Sequence, residues 1–169
     1  RFGGPQRVLF VRVFGCRGDS SSSSNGKMAM ASSEAAKRRM PELLAPAGDF
    51  AALRAALEAG ADAVYFGLGW LNARRYARNF TPAELAEAVP EVHARGAKAY
   101  LTLNTDLSER ELGRAARSLA WAAASGIDGV LVRDPALLAL RDSFPGVALH
   151  FSTQNGITNS ADVAAAGAL

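Results

Sequence analysis

The sequence predicts an α/β fold: about five consecutive β/α units that form the N-terminal half of a (β/α)8 TIM-like barrel over residues 41–169. From Pro41 onward, short apolar runs alternate with alanine-rich helical stretches. Three of these stretches end at a glycine that the next apolar run follows at once, at residues 60–62, 96–98 and 126–128. Strict alternation with such short joints indicates a parallel sheet with right-handed crossovers.

Each element has its own local signal. The predicted strands are residues 43–45, 63–66, 97–103, 127–132 and 147–151. The predicted helix starts are residues whose side chains cap a first turn: Asp49, Thr81, Ser108, Asp134, and Asn159 or Ser160. Glu84 and Glu111 complete capping boxes with Thr81 and Ser108. The predicted helix ends are Gly60, Gly96, Gly126 and the pair Pro145-Gly146.

Strand patterning favours a barrel over an open doubly wound sheet. The Gly-x-Gly-x-x-Gly signature of dinucleotide-binding sheets is absent after the first strand. Polar residues share one face of two strands: Tyr100, Thr102 and Asn104 in the third, and His150, Ser152 and Gln154 in the fifth. A barrel tolerates polar residues inside near its top, whereas a sheet covered on both faces favours uniformly apolar strands. A complete barrel takes about 250 residues, so the sequence from Pro41 predicts the N-terminal half.

Residues 1–40 are predicted to be a disordered leader outside the fold, because a serine run at 20–24 cannot bury enough apolar surface to order itself. The leader holds 8 Lys and Arg against 2 Asp and Glu, whereas residues 41–169 hold 11 against 14. The basic balance therefore belongs to the leader. Two interpretations stay open, upstream sequence and an organelle transit peptide. We expect a cytoplasmic protein, or a plastid or mitochondrial one in the second case.

Composition excludes several classes of function. No stretch approaches the roughly 18 uncharged apolar residues of a membrane span, so we expect no membrane partner. The single cysteine, Cys16, cannot build a disulfide, zinc site or iron–sulfur cluster within this chain. Lys98 opens the third strand at the end opposite to the expected site, which disfavours Schiff-base chemistry. Ser152 lacks the Gly-x-Ser-x-Gly elbow of a hydrolase, and the catalytic residues stay unassigned.

Active sites of such barrels lie at the C-terminal ends of the strands. The loop at 72–79 brings three arginines and two asparagines to that end, and arginine forks match phosphate and carboxylate oxygens. A solvated loop is the alternative. The polar strand ends could bind a planar polar ligand or satisfy one another, and His150 could be a core histidine. The candidate substrate-binding residues are Asn72, Arg74, Arg75, Arg78, Asn79, Asn104, His150, Ser152 and Gln154.

Five short motifs follow one another along the chain. They are PELLAPAG at 41–48, GADAVYFG at 60–67, NAR at 72–74 with NFT at 79–81, TLNT at 102–105, and HFSTQ at 150–154. In this order they resemble the collagenase-like peptidase family, peptidase family 32 of unassigned catalytic type. The resemblance covers nearly all of residues 41–169 and none of the leader.

This resemblance implies oxygen-independent hydroxylation of ribosomal RNA bases, transfer RNA bases or ubiquinone precursors. It also implies an iron–sulfur cluster held by four cysteines and prephenate as the hydroxyl donor. The segment at 72–80 looks most like the branch that hydroxylates a cytidine of large-subunit ribosomal RNA. The implied cysteines are expected in the part of the barrel that this chain lacks, so we expect the chain alone to be inactive.

We therefore predict an RNA-modification protein with RNA as its partner. Two alternatives stay open, a peptidase of this family and an inactive half-barrel binding module. The open edges of the first and fifth strands also predict self-association.

Overall fold

A computed structural model describes residues 41–167 of the chain. The predicted leader and Cys16 lie outside these residues. The strands are β1 (Leu44–Ala47), β2 (Ala63–Gly67), β3 (Lys98–Leu103), β4 (Gly129–Val132) and β5 (Ala148–Phe151). The helices are α1 (Phe50–Glu58), α2 (Pro82–Ala94), α3 (Glu109–Ala124), α4 (Pro135–Leu138) and α5 (Ser160–Gly167). Short 3-10 turns occupy Arg141–Ser143 and Thr153–Asn155.

The five strands form one parallel sheet in the order β1-β2-β3-β4-β5. Each strand therefore lies beside the strand that precedes it in sequence. A doubly wound sheet reverses direction at a switch point, whereas a barrel adds its strands in one direction only. The predicted α/β half-barrel is confirmed by this order.

Helix starts follow the predicted caps. The Asp49 carboxylate accepts from the backbone N–H of Ala52 at 2.8 Å and thereby begins α1. Asp134 accepts from the Ala136 N–H at 2.9 Å at the start of α4. Of the two candidates for α5, Asn159 is the cap, because its side-chain oxygen accepts from the N–H groups of residues 161 and 162. At these three starts a side-chain acceptor satisfies donors that the helix itself leaves open.

Several predicted boundaries were wrong. Strands β1, β3, β4 and β5 begin one or two residues later than predicted. Two differences are larger. The helix expected between Asp134 and Pro145 is only the four-residue α4, followed by the turn Arg141–Ser143. Strand β1 extends beyond Ala45 to Ala47 and includes Pro46. Proline lacks an N–H for a sheet ladder, but among the described residues β1 pairs only with β2, so its other edge needs no donor.

The sheet has two different faces. Val64, Phe66, Leu101 and Val130 point to the helix side and belong to the main buried core. Alternate residues point the other way and form a smaller cluster that corresponds to the barrel interior: Leu44, Ala63, Tyr100 and Leu131. Strand period therefore divides the apolar residues between the helix layer and the inside of the barrel.

Acidic side chains close the end of the sheet opposite to the candidate site. Asp62 accepts from the N–H of Leu43 at 2.7 Å, ahead of β1. Asp128 accepts from the N–H of Ala99 in β3 at 2.7 Å, and its carboxylate also lies 2.9 Å from His93 Nε2. These contacts give His93 a structural role at the end of α2. The aspartates of two glycine joints, Asp62 and Asp128, therefore bind the backbone at the N-terminal end of the strands. The candidate site lies at the other end, where the strands terminate.

Candidate functional site

The rim loop, which we define as residues 68–80, connects β2 to α2 at the C-terminal end of the sheet. Leu68 and Phe80 form an isolated parallel bridge that brings its two ends together. Phe80 is buried, with its ring centroid 5.2 Å from that of Phe66 and 5.4 Å from that of Phe50. The loop is therefore anchored at its base by core packing.

Two asparagines hold the backbone of the rim loop. Asn72 is buried, and its Nδ2 donates to the Leu68 carbonyl at 2.6 Å and to Asn79 Oδ1 at 3.0 Å. The Asn72 Oδ1 accepts from the Arg74 N–H at 2.7 Å. Asn79 Nδ2 lies within 3.3 Å of three loop carbonyls, those of residues 74, 75 and 77. Both amides are engaged inside the loop, and their role as ligands stays a prediction.

Two glycines make room for the loop. A methyl group at Gly67 would lie 2.3 Å from Asn79 Oδ1 and 2.5 Å from Asn72 Nδ2. A methyl group at Gly48 would lie 2.7 Å from the backbone oxygen of Arg78. The glycines that end two of the sequence motifs are thus required by close approach of the rim loop to β1 and β2.

The three arginines of the loop differ in their partners. Arg78 Nη1 lies 3.3 Å from the Asp49 carboxylate. Arg75 donates to the Tyr76 hydroxyl at 2.9 Å, and its guanidinium carbon lies 4.8 Å from the Tyr76 ring centroid. Arg74 is exposed, and within residues 41–167 its guanidinium has no hydrogen-bond or ion-pair partner. Arg74 is therefore the loop cation most available to an anionic ligand.

Acidic residues in the first turns of the next two helices lie near these arginines. Hydrogen bonds from the backbone and hydroxyl of Thr81 lower the pKa of Glu84, and the nearby charge of Arg78 adds to this effect. Hydrogen bonds from the hydroxyl and backbone of Ser108 lower the pKa of Glu111, and the charges of Arg114 and Arg75 contribute further. Arg75 and Arg114 consequently share one acidic neighbour.

Asn104 links the rim loop to the far side of the sheet. It directly follows β3, and its Oδ1 accepts from the backbone N–H of Ala73 at 3.0 Å. Its Nδ2 donates to Ser152 Oγ at 3.2 Å, across the intervening β4. Ser152 is buried, and its hydroxyl also accepts from the Gln154 N–H at 3.2 Å. The structure therefore brings together three predicted site residues in one polar network.

Gln154 lies outside the strand in which its face was predicted. Strand β5 ends at Phe151, and Gln154 lies on the 3-10 turn that Ser152 caps, where strand alternation no longer applies. Its side chain is exposed, and only its backbone joins the network. Its assignment to one face with His150 and Ser152 was wrong, while its role as a ligand stays a prediction.

His150 lies deeper on the interior face of the sheet. Its ring centroid is 5.1 Å from that of Tyr100 on β3. Gly129 on the intervening β4 leaves the space for this ring, because a methyl group there would lie 2.8 Å from His150 Nε2. These contacts suit a packed interior histidine, and its role as a ligand stays a prediction.

The adjoining loops after β3 and β4 are also fixed. Arg133 lies 2.7 Å from the Asp106 carboxylate, so it is ion-paired rather than simply solvated. Asp134 accepts from the Leu107 N–H at 2.8 Å, and Asn155 donates to the Arg133 carbonyl at 2.8 Å. The C-terminal end of the sheet is therefore a connected polar rim built from four consecutive strand ends.

Within residues 41–167, no three His, Cys, Asp or Glu side chains come together as a metal site. Each helix in this part of the chain is too short or too polar to cross a bilayer. Sequence reasoning overlooked Tyr76, which is 89% exposed beside the loop arginines. An aromatic residue among arginines in a loop was the available signal.

Comparison with known proteins agrees with this architecture. The solved structure of a U32 peptidase aligns with a TM-score of 0.58 at 15% identity, over 69% of this chain and 50% of that one. An uncharacterized protease of Methanocaldococcus jannaschii is 40% identical over 72% of this chain. The 23S rRNA 5-hydroxycytidine synthase of Escherichia coli is 43% identical over 67% of it, and the collagenase of Porphyromonas gingivalis 36% identical over 70%.

The chain spans 30%, 17% and 29% of the lengths of these three relatives, in the order given. The sequence pattern of peptidase family U32 matches residues 48–168, which include the rim loop and all of β2 to β5. The chain belongs to peptidase family U32.

Proposed function

We propose that this chain is the RNA-binding part of a protein that supports oxygen-independent hydroxylation of an RNA base, on the pattern of ribosomal RNA cytidine. The observation that carries the proposal is the rim loop. It presents the exposed Arg74, whose guanidinium has no partner within residues 41–167, and, two positions later, the 89% exposed Tyr76, on a backbone held by two amides. Exposed aromatic rings and arginines are the groups on which single-stranded RNA bases stack and phosphates bind.

Because the folded part of the chain is net acidic, RNA binding requires a local cluster of cations such as the arginines of the rim loop. Residues 41–169 carry 11 Lys and Arg against 14 Asp and Glu, so bulk attraction does not hold RNA here. A focused guanidinium contact with phosphate is charge-assisted and contributes about 1.5–3 kcal/mol of binding. Arg74 would supply that contact, while the network of Asn104 and Ser152 would face the edge of a base taken out of its stack.

The chain does not fit the iron–sulfur cluster that the family resemblance implies. Such a cluster needs four thiolates, and the chain has one cysteine, Cys16. We therefore assign these residues to substrate binding only. Prephenate, the proposed hydroxyl donor, carries carboxylates, and a guanidinium binds carboxylate and phosphate with the same fork geometry. Arg74 therefore suits either anion.

Peptidase activity is the second candidate, because two of the relatives are named as a protease and a collagenase. The rim supplies weaker support for it. Ser152 Oγ, the one buried hydroxyl of the polar network, accepts hydrogen bonds from Asn104 and from the Gln154 backbone. A nucleophilic serine must also donate its proton to a base, and neither of these two hydrogen bonds identifies one.

The test measures hydroxylated nucleosides in living cells. The complete gene is deleted from the cells. A copy that encodes the wild type, Arg74→Ala or Arg95→Ala is then reintroduced. Arg95 ends α2 at the opposite end of the sheet and is the charge-matched control. Mass spectrometry of nucleosides from digested ribosomal and transfer RNA should show one hydroxylated nucleoside lost on deletion, restored by wild type and Arg95→Ala, and lost with Arg74→Ala.

Two results would overturn the proposal. If deletion leaves every hydroxylated nucleoside unchanged, the RNA function is wrong. If the purified product cleaves peptides after metal chelation has removed any cluster, peptidase activity takes first place. Circular dichroism of Arg74→Ala checks that its fold is intact.

A further inference from the structure

A cleft of about 190 Å³ opens on the helix side of the sheet, outside the polar rim. Its floor is Leu68, where the rim loop begins, and its walls are α3 and the start of α2. The cleft is smaller than the roughly 300–1,000 Å³ of pockets for drug-sized ligands, so it suits a single ring system. Its lining residues are Leu68, Trp70, Pro82, Arg114, Arg117, Ser118 and Trp121.

Two tryptophans and two arginines line this cleft. Trp70 and Trp121 are half-buried and pack against the main core, while each contributes surface to the cleft. The Trp70 Nε1 donates to Ser118 Oγ at 3.3 Å, which holds the rim loop against α3. Arg114 and Arg117 are exposed on α3, three positions apart, and therefore lie on one face of that helix.

This combination selects a ligand that has both an aromatic ring and an anion. An apolar ligand would not use the two arginines, and an inorganic anion would not use the two indoles. A nucleotide uses both, because its base stacks on aromatic rings and its phosphate binds arginine. The cleft size matches one base and not a larger cofactor.

The cleft is continuous with the rim loop. Leu68 and Trp70 belong to both. A strand of RNA that contacts Arg74 and Tyr76 therefore lies on the same loop that lines the cleft.

We propose that the cleft between Trp70, Trp121, Arg114 and Arg117 is a second RNA subsite, which holds one unpaired nucleotide flanking the modified base. This inference rests on the proposed RNA function and deepens it. The subsite lies on the helix layer, so it positions the RNA strand and takes no part in the chemistry.

The chain has only two tryptophans, and both line the cleft, so tryptophan fluorescence reports on the cleft and, through Trp70, on the adjoining rim loop. The Arg114→Ala/Arg117→Ala variant separates the two. A short single-stranded oligocytidylate is titrated into the 169-residue chain, and binding is followed by tryptophan quenching. Anisotropy of an end-labelled copy of the same RNA measures total binding independently. We expect both signals to saturate with the same midpoint.

The Arg114→Ala/Arg117→Ala double variant tests the phosphate contacts. It should weaken binding about tenfold or more and make the plot of log affinity against log salt shallower by about 0.7 for each lost phosphate contact. Arg54→Ala/Arg95→Ala is the matched control, because it removes the same charge from α1 and the end of α2. Circular dichroism and thermal melting check both variants for folding.

Three outcomes would overturn the subsite: RNA binding without quenching, equal weakening by both double variants, or quenching by an acidic aromatic peptide but not by RNA. Absence of RNA binding in both signals would overturn it as well. The RNA function itself is judged separately by the nucleoside measurement. If the cleft does not bind RNA but the hydroxylated nucleoside still depends on Arg74, the subsite is wrong and the proposed RNA function still holds.

Discussion

At the scale of single residues, Gly67 determines whether the rim loop can form. The amides of Asn72 and Asn79 meet directly above its Cα, and a methyl group there would lie 2.3 Å and 2.5 Å from them. Asn72 is buried, so its polar atoms depend on this pairing for satisfaction. A substitution at Gly67 therefore alters the position of Arg74 by displacing the two amides, without any direct contact with the arginine.

We expect Gly67→Ala to separate the two amides and to release the loop. Overpacking of this kind costs about 1–3 kcal/mol of stability, and the exposed arginines become accessible to protease. Limited trypsin digestion should cut the variant after Arg74, Arg75 or Arg78 faster than the wild type. Gly69→Ala is the control, because a methyl group at Gly69 meets no atom within 4 Å. Equal cleavage of the two variants would contradict this role for Gly67.

At the scale of elements, the two capping boxes bring pH dependence to α2 and α3. Glu84 accepts from the N–H and hydroxyl of Thr81 at 2.7 and 2.8 Å, and Glu111 accepts from those of Ser108 at 2.9 and 2.6 Å. These hydrogen bonds lower the pKa of both carboxyl groups in the folded chain. Their contribution to stability is therefore present above the ordinary glutamate pKa and is lost as the pH falls through the lowered value.

We expect Glu84→Gln/Glu111→Gln to unfold at lower denaturant concentration than the wild type at neutral pH. The difference between the denaturant midpoints of wild type and variant should become smaller as the pH falls below about 4.3, the ordinary glutamate pKa. At such pH values the two glutamates of the wild type also lose their charges. Denaturant midpoints measured across this pH range provide the test. Glu87→Gln, on the exposed side of α2, is the control. A difference between the midpoints that does not change with pH would contradict a stabilising role for the charged forms of Glu84 and Glu111.

At the scale of the whole molecule, the sheet has two unequal edges. Among the described residues, β1 and β5 each pair with a single neighbour. Pro46 lies in β1 and removes one donor from that edge, which makes it a poorer template for another strand. Strand β5 has no proline and is therefore the edge more open to pairing.

We expect residues 40–169 alone to form dimers or larger aggregates, mainly through β5. Ala148→Lys should reduce this association, because a charge on an edge strand disfavours pairing with another chain. Ala148 is exposed, so lysine is accommodated there. Sedimentation velocity of both proteins provides the measurement. A monodisperse wild-type monomer that melts cooperatively would contradict the prediction.

The sequence by itself determined the order of elements, the α/β half-barrel and the family. Helix starts at Asp49, Thr81 and Asp134 follow from residues within three positions of one another, and strand alternation follows from a period of two. Such signals are local, so no knowledge of the folded chain is needed to read them. They failed where the element itself ended, as at Gln154 beyond β5.

Only the tertiary structure decided which polar residues work together. Asn104 meets Ser152, and Trp70 meets Ser118, in each case across 48 positions of sequence. The structure likewise shows that Asp49 pairs with Arg78 and that Arg74 stays exposed. These relations depend on strand register and on the close approach that Gly48 and Gly67 permit, and neither is encoded by residues adjacent in the chain.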